Sequence, residues 1–469
     1  MRPSGFHLEF GETFMDDITK KLANFLSRLK FEQIPEVSLE KIKLCTLDAI
    51  GCALYGSTTP WSKMVNHFIM SQRGVEEAKL WTTEFTGPAA NIACGIGTMI
   101  HSFDYDDYHA NKVHPGAVVV PAAFAVGEKE HIDGRTLMVA MVAGYETIIR
   151  ISRGLNPSSS RLRGWHLTGT CGTFAAAAAS GRIWKLDPET MAGALGMAGT
   201  QSSGLWAFTA DGSWSKRFHP GRSAQSGIIA SSLCRAGYKG PTKILEADDG
   251  GFFKATSSDF NFPKVVEGLG EEFLTGETVI KPYPACASVH SSIDAALMLR
   301  KEYPIPWEHI QQVKVHNSKL VDVQCGFDYH ATGILEAQMS LKYCVARALI
   351  DGVFSLGQFD EGKLSDPDVM QLANRVTFVL DEEIDRIYPT KWPSRVEILM
   401  DDGKKYHKRV DGPRGTAESP MTRQEVQEKF RTLAEPFLGK TDANSLIERV
   451  ENMEHLTDVS EISGFMKKT

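Results

Sequence analysis

The sequence lacks the features that mark several large functional classes. It has no basic stripe: 51 lysines and arginines stand against 58 aspartates and glutamates, a formal charge of −7 over 469 residues. That balance excludes a nucleic-acid partner, whose phosphates require clustered cations. No apolar run approaches the ~20 residues that span a bilayer, so no membrane partner is expected. The polar stretch 1–17 shows neither the basic end nor the apolar run of a targeting segment, and the expected location is the cytosol or an organelle lumen. The eight cysteines are scattered, without the close pairing of a zinc site or redox couple. They are expected to be reduced thiols, most of them buried as small hydrophobes. A phosphate loop, a dinucleotide fingerprint and a nucleophile elbow are also missing, which leaves no sign of a bound redox cofactor.

What the chain does have is helix after helix. Apolar residues recur at helical spacing over 89–100, 136–151, 168–184 and 222–235. Asp187, Pro188 and Glu189 form a start signal for a further helix to about 199: a capping acid, proline in the first turn, then an acid facing the helix dipole. The run Ala175 to Ala179, followed by Ser180 and Gly181, has almost no side-chain bulk, so this helix belongs at the centre of a bundle. Strand character comes later, over 310–316, 375–380, 396–400 and 404–410, the last two joined hairpin-fashion across Asp401, Asp402 and Gly403. Helices are predicted between them over 287–303 and 334–350. Thr422 and Glu425 are spaced as a capping box before a last helix over 426–437. The expected fold is mostly α: a large helical domain (1–277 and 414–469) with a smaller α+β lid domain (278–413) inserted into it.

Four clusters carry potential chemistry. Segment 101–114 holds three carboxylates, Asp104, Asp106 and Asp107, and three histidines, His101, His109 and His114. It reads as a proton-transfer site, as a metal site, or as a helix capped by Asp107 with hydrogen-bonded histidines beside it. His166 immediately precedes the alanine-rich helix, where free amides and the dipole attract anions; a packed imidazole at a capped start is the other reading. Lys216, Arg217, His219 and Arg222 fall within seven positions just before an apolar helix, either as an anion cradle or as a solvated basic turn. In the fourth, Lys281 is stiffened by Pro282 and Pro284, and Cys286 and His290 lie four apart. A cysteine–histidine nucleophile there has no third orienting group, which favours a structural or substrate-contact role. The four share a theme of anion binding with proton transfer.

The order of these motifs, Asp104 to His114-Pro115, Gly164-Trp165-His166, Lys216 with His219-Pro220-Gly221, and Lys281-Pro-Tyr-Pro with His290, resembles the MmgE/PrpD family over about 25–461. That family includes 2-methylcitrate dehydratases, cis-aconitate decarboxylases and an iminodisuccinate epimerase. The resemblance implies a homodimer with a site between two domains, a small polycarboxylate substrate, and no cofactor or metal. It implies His114 and His166 as general acid and base with Asp104 assisting. Lys216, Lys281, Tyr108, His219, Cys286 and His290 are the implied substrate contacts. Tyr108 stands where some members have threonine, and Cys286 where the animal decarboxylases have histidine, so that histidine's role does not transfer. Both lysines are expected to face a ligand, and a neighbouring carboxylate is expected to raise the pKa of His114. Rivals from other classes are a metal-dependent hydrolase using the 104–114 cluster and a non-catalytic helical scaffold.

Overall fold

A computed structural model describes residues 17–388, 390–416 and 418–466. Helix accounts for 61% of the chain and strand for 8%, which makes the fold mostly α. The helix Leu167–Ile183 occupies the centre, with Ala175 to Ala179 fully buried. Helices Gly116–Glu130, Gly134–Gly154, Pro188–Gly199 and Ser215–Arg235 pack around it. Lack of side-chain bulk sets how near they come. A Cβ on Gly227 would meet the Ala176 Cβ and the Thr173 carbonyl oxygen, each at 2.5 Å. A Cβ on Gly221 would lie 2.1 Å from the Cys94 carbonyl, so helix Ala89–Ile100 crosses Ser215–Arg235 at a contact that admits only glycine.

The start signals act as the sequence predicts. Asp187 accepts from the amides of Glu189 and Thr190 at 2.9 and 3.1 Å. Thr422 and Glu425 cap each other reciprocally at the head of Arg423–Glu451. That last element runs past the expected end at 437 and bends at Gly439, whose φ of 73° is open to glycine. Two expectations change. The single helix over 334–350 is broken into Ile334–Met339 and Leu341–Asp351, because Ser340 is extended and caps the second piece through Tyr343 N. The helix expected from 222 starts at Ser215, so the cationic cluster is helical from its first residue and not a turn ahead of the helix.

The four later strands form one sheet in the order Val376–Leu380, Ile310–Asn317, Ser394–Met400, Lys405–Val410, the first pair parallel and the others antiparallel. Helices His290–Glu302 and Leu341–Asp351 pack with it over a second apolar core drawn mainly from 283–410, joined by Trp61, Phe103 and Phe208. The first core is drawn from 18–280 and from 426–466. Lys429, on the returning helix, is tied to Asp48 at 2.6 Å and to the carbonyls of Tyr105 and Lys281 at 2.6 and 3.0 Å. All eight cysteines are free, seven of them buried and Cys286 partly exposed. No helix among the described residues is long and apolar enough to cross a membrane.

Gly227→Ala tests the close packing of the centre. The obstacle includes a backbone carbonyl, so the neighbours cannot simply rotate away, and a stability loss of about 1–3 kcal/mol is expected. Chemical denaturation of the two proteins measures it; an unchanged midpoint would show that the two helices separate without cost.

Candidate active site

Helix Ala89–Ile100 ends in a single tight turn, His101–Phe103, and Asp104 follows in the left-handed conformation at φ 53°. Aspartate tolerates that conformation better than most residues. The reversal places its carboxylate between two buried ammonium groups. Lys216 Nζ lies 3.0 Å and Lys281 Nζ 2.7 Å from Asp104 Oδ1, and Lys281 also donates to the Asp104 carbonyl at 2.8 Å. Burial works to raise the Asp104 pKa, but the two ammonium groups hold the carboxyl well below its ordinary range. Lys216 is pulled down by burial and by Lys281, against the pull of Asp104.

Lys216 Nζ also donates to His101 Nε2 at 3.0 Å, while His101 Nδ1 faces both oxygens of Asp106 at 2.9 and 3.0 Å. An ammonium can only donate, so Nε2 is the lone-pair nitrogen and the ring proton sits on Nδ1. Burial pushes the His101 pKa down to about 3, and the imidazole is neutral. Asp107 takes no part in this relay. It accepts from Tyr145 at 2.6 Å and from the Gly116 amide at 2.8 Å, capping the helix behind the site, and burial lifts its pKa to about 7. Gly116 is needed there: a Cβ would lie 2.8 Å from the Asp107 carboxylate.

His114 donates through Nδ1 to the Asp107 carbonyl at 2.9 Å, leaving Nε2 on the side of Asp104 at 3.9 Å. Asp106 Oδ2 lies 3.3 Å from Nδ1. The expected upward shift of its pKa is reversed: burial, with help from Lys281 and Lys216, outweighs Asp106 and lowers it. His166 ends the cap of Leu167–Ile183, with Nδ1 2.9 Å from His219 Nδ1 and its ring between His101, Trp206 and Phe208. Burial and His219 keep it far below the ordinary histidine range.

One cleft between the two cores is lined by Asp104, His114, His166, Lys216, Tyr108 and Cys286. Lys281, His219 and His290 do not line it. Lys281 is fully buried behind Asp104, to whose carboxylate its ammonium donates at 2.7 Å. His290 is wholly buried and donates through Nε2 to the Ala285 carbonyl at 3.1 Å, and burial drops its pKa to about 3. His219 stands behind His166. Tyr108 is held by backbone pairing with Val279, and its buried hydroxyl meets no partner among the described residues. Cys286 is anchored by its amide to the Gln338 carbonyl at 2.9 Å, and the neighbouring Cys325 thiol favours its thiolate.

The sequence reading passed over Lys112 and Arg161, which line the same cleft, and the His101–Asp106 relay behind it. Lys112 is two residues from His114, and its segment was a usable signal. Arg161 had none, since Arg163 two residues on is exposed. His101, Asp104, Asp106 and His114 also bring ligand atoms within 4.8 Å of one another, as a metal site would. Lys216 and Lys281 occupy Asp104 Oδ1, and Lys216 occupies His101 Nε2, so a divalent ion there would meet two ammonium groups. A wider surface groove, lined by residues such as Arg153, Asp259, Lys264 and Glu272, gathers mixed charges, with His109 as the buried titratable side chain on its wall. The narrower cleft is therefore the candidate site.

Comparison with known proteins places these residues in context. Residues 20–264 match the MmgE/PrpD N-terminal domain and residues 283–455 the MmgE/PrpD C-terminal domain. The chain is 30% identical over 465 residues to a cis-aconitate decarboxylase of Aspergillus terreus, covering 94% of each protein. It is 25% identical over 475 residues to the cis-aconitate decarboxylase of Homo sapiens, covering 97% of this chain and 95% of the relative. A mitochondrial 2-methylcitrate dehydratase of Yarrowia lipolytica is 22% identical over 414 residues, 83% of this chain and 78% of the relative. With both halves of the chain matched and the similarity running nearly end to end, the chain belongs to the MmgE/PrpD family.

Proposed function

We propose that the chain is a lyase acting on a small di- or tricarboxylate, in the manner of a cis-aconitate decarboxylase or a 2-methylcitrate dehydratase, by proton transfer between side chains and substrate. The observation that carries this reading is the buried Asp104 carboxylate clamped by Lys216 and Lys281 beside the Nε2 of His114. Lys216 and Lys281 balance Asp104 and Asp106, and Lys112 and Arg161 on the same cleft add the surplus positive charge that suits an anionic substrate and the charge that builds on an enediolate-like intermediate. His114, neutral in the free protein with its proton on Nδ1, offers the Nε2 lone pair as a base. A bound polycarboxylate brings negative charge beside it and raises its basicity, so the same nitrogen can take a proton and return it. His166 is the second proton carrier, oriented by His219. The homodimer and the cytosolic or organelle-lumen location expected from the sequence belong to this proposal.

Epimerisation of a dicarboxylate such as iminodisuccinate begins with the same proton step and is the alternative outcome. Incubation with citrate, 2-methylcitrate, cis-aconitate and iminodisuccinate in deuterium oxide, followed by NMR, separates the reactions. Loss of water or carbon dioxide is expected from one of the first three; deuterium uptake without net product identifies an epimerase. Four unchanged spectra would remove the proposal.

His114→Gln keeps size and one hydrogen bond but cannot carry the proton. Turnover is expected to fall ~10²-fold or more with ligand binding retained. Near-normal turnover here, with His166→Gln inactive, would reverse the two roles.

The four clustered ligand atoms give the metal-dependent hydrolase a definite test. Chelation is expected to leave activity unchanged, and elemental analysis to find no stoichiometric metal; one zinc, iron or magnesium per chain, with activity lost on its removal, would establish the hydrolase reading instead.

The buried neutral imidazoles also set the acid stability. His101 and His290 near 3 and His219 near 4 bind no proton where the unfolded chain, near 6.5, already does. Their contribution is complete above pH 6.5 and shrinks as pH falls toward 4, by about 1.4 kcal/mol per pH unit for each proton. Denaturation between pH 7.5 and 5 is expected to show falling stability, with a shallower slope in His290→Gln. A flat profile would mean that these rings are protonated in the folded protein.

A further inference from the structure

We propose that Lys112 and Arg161 form a second anion subsite in the cleft, which holds a substrate carboxylate remote from the one that Lys216 attracts. The proposal rests on the reading of the cleft as a polycarboxylate site and adds what selects among such substrates.

Most buried cations of this protein are neutralised by its own carboxylates. Lys43, Arg150, Arg347 and Lys429 are each met by a carboxylate, and Lys216 and Lys281 share Asp104. Arg217 finds carbonyl oxygens at Ser102 and Gln338. Lys112 and Arg161 have no carboxylate among the described residues. Lys112 Nζ meets the Tyr388 hydroxyl at 2.5 Å and stands 4.5 and 5.1 Å from the ring centres of Tyr388 and Trp392. The Arg161 guanidinium lies 3.8 Å from the Trp206 ring centre; the residue is 7% exposed, and its Nε has no hydrogen-bond partner among the described residues.

An aromatic face steadies a cation without neutralising it. Arg161 is buried and Lys112 partly so, and withdrawing such cations from water costs free energy that a bound anion recovers. The strain shows in their acidity: burial brings Lys112 down to about 7 and Arg161 down to about 10. Both line the cleft that holds Asp104, His114, His166 and Lys216. Ser288 and Gln324, hydrogen-bonded to each other at 3.0 Å, line the same wall. A guanidinium fork beside a flexible ammonium matches the two oxygens of a carboxylate. The elements also differ in origin: Lys112 and Arg161 come from the helical body, whereas Tyr388 and Trp392 lie in the segment between strands of the second core. A carboxylate here is therefore enclosed by both.

The test uses two ligands that differ by one carboxylate, tricarballylate (propane-1,2,3-tricarboxylate) and methylsuccinate, measured by calorimetry on the full chain. The unaltered protein is expected to bind tricarballylate about 10-fold or more tightly than methylsuccinate, and Arg161→Gln and Lys112→Gln to shrink that ratio to about 3-fold or less. Equal affinity for the two ligands in the unaltered protein overturns the subsite, and this arm needs no variant to fold. A preserved ratio in folded variants overturns it as well. Binding does not depend on turnover: if none of the four reaction candidates is converted, yet the ratio and its loss are seen, the reaction assignment falls and the subsite stands. The converse result removes the subsite alone.

Discussion

Two lysines sharing one oxygen of Asp104, at 3.0 and 2.7 Å, is the arrangement on which the cleft depends. Each partner comes from a different stretch of chain: Asp104 from the turn after Ala89–Ile100, Lys216 from the head of Ser215–Arg235, Lys281 from the crossover into the second core. An ion taken out of water costs several kcal/mol even after relaxation, so the three are tolerable only together. The ammonium at the head of a helix also opposes the dipole, which adds to its need for a carboxylate. This arrangement therefore closes the junction of the cores and sets two ammonium groups beside the imidazoles.

Backbone constraints hold the charges where they are. The glycine contact between Gly221 and the Cys94 carbonyl brings the Lys216 helix against the helix that delivers Asp104. Lys429 reaches from the returning helix to the carbonyls of Tyr105 and Lys281, and Asp48 balances it at 2.6 Å. The residue after Asp104 and the backbone of Lys281 are thus held by the same ammonium. Gln338 plays a related part from the second core, with its side chain on the Pro284 carbonyl and its own carbonyl on the Cys286 amide.

The imidazoles follow from that enclosure. A carboxylate next to a histidine normally raises its pKa, and Asp106 acts in that direction on both His101 and His114. Burial wins, with the lysines on its side, and the rings rest neutral. In the proposed reaction it is the substrate's own negative charge that shifts this balance.

Much of the fold was legible along the chain, because helical period, caps and hairpin turns act over a few residues. Asp187, Thr422 with Glu425, the alanine run and the Asp401 to Gly403 turn all did what their local chemistry requires. The break at Ser340 and the helical start at Ser215 were harder to see, since serine serves equally as cap and as helix residue. The site was legible as motifs: acids and histidines at 101–114, the histidine at a helix head, the two lysines. What lines the cleft was legible only in part. His219 and His290 carry the same signature as His114 yet stand behind the wall, while Arg161 has no signature at all and faces the cleft. Residue type and spacing by themselves determined the helical architecture and which groups were available for chemistry. Only the tertiary structure decided which of them are deprived of water and who their partners are, because desolvation and charge pairing are set by groups hundreds of residues apart in the chain.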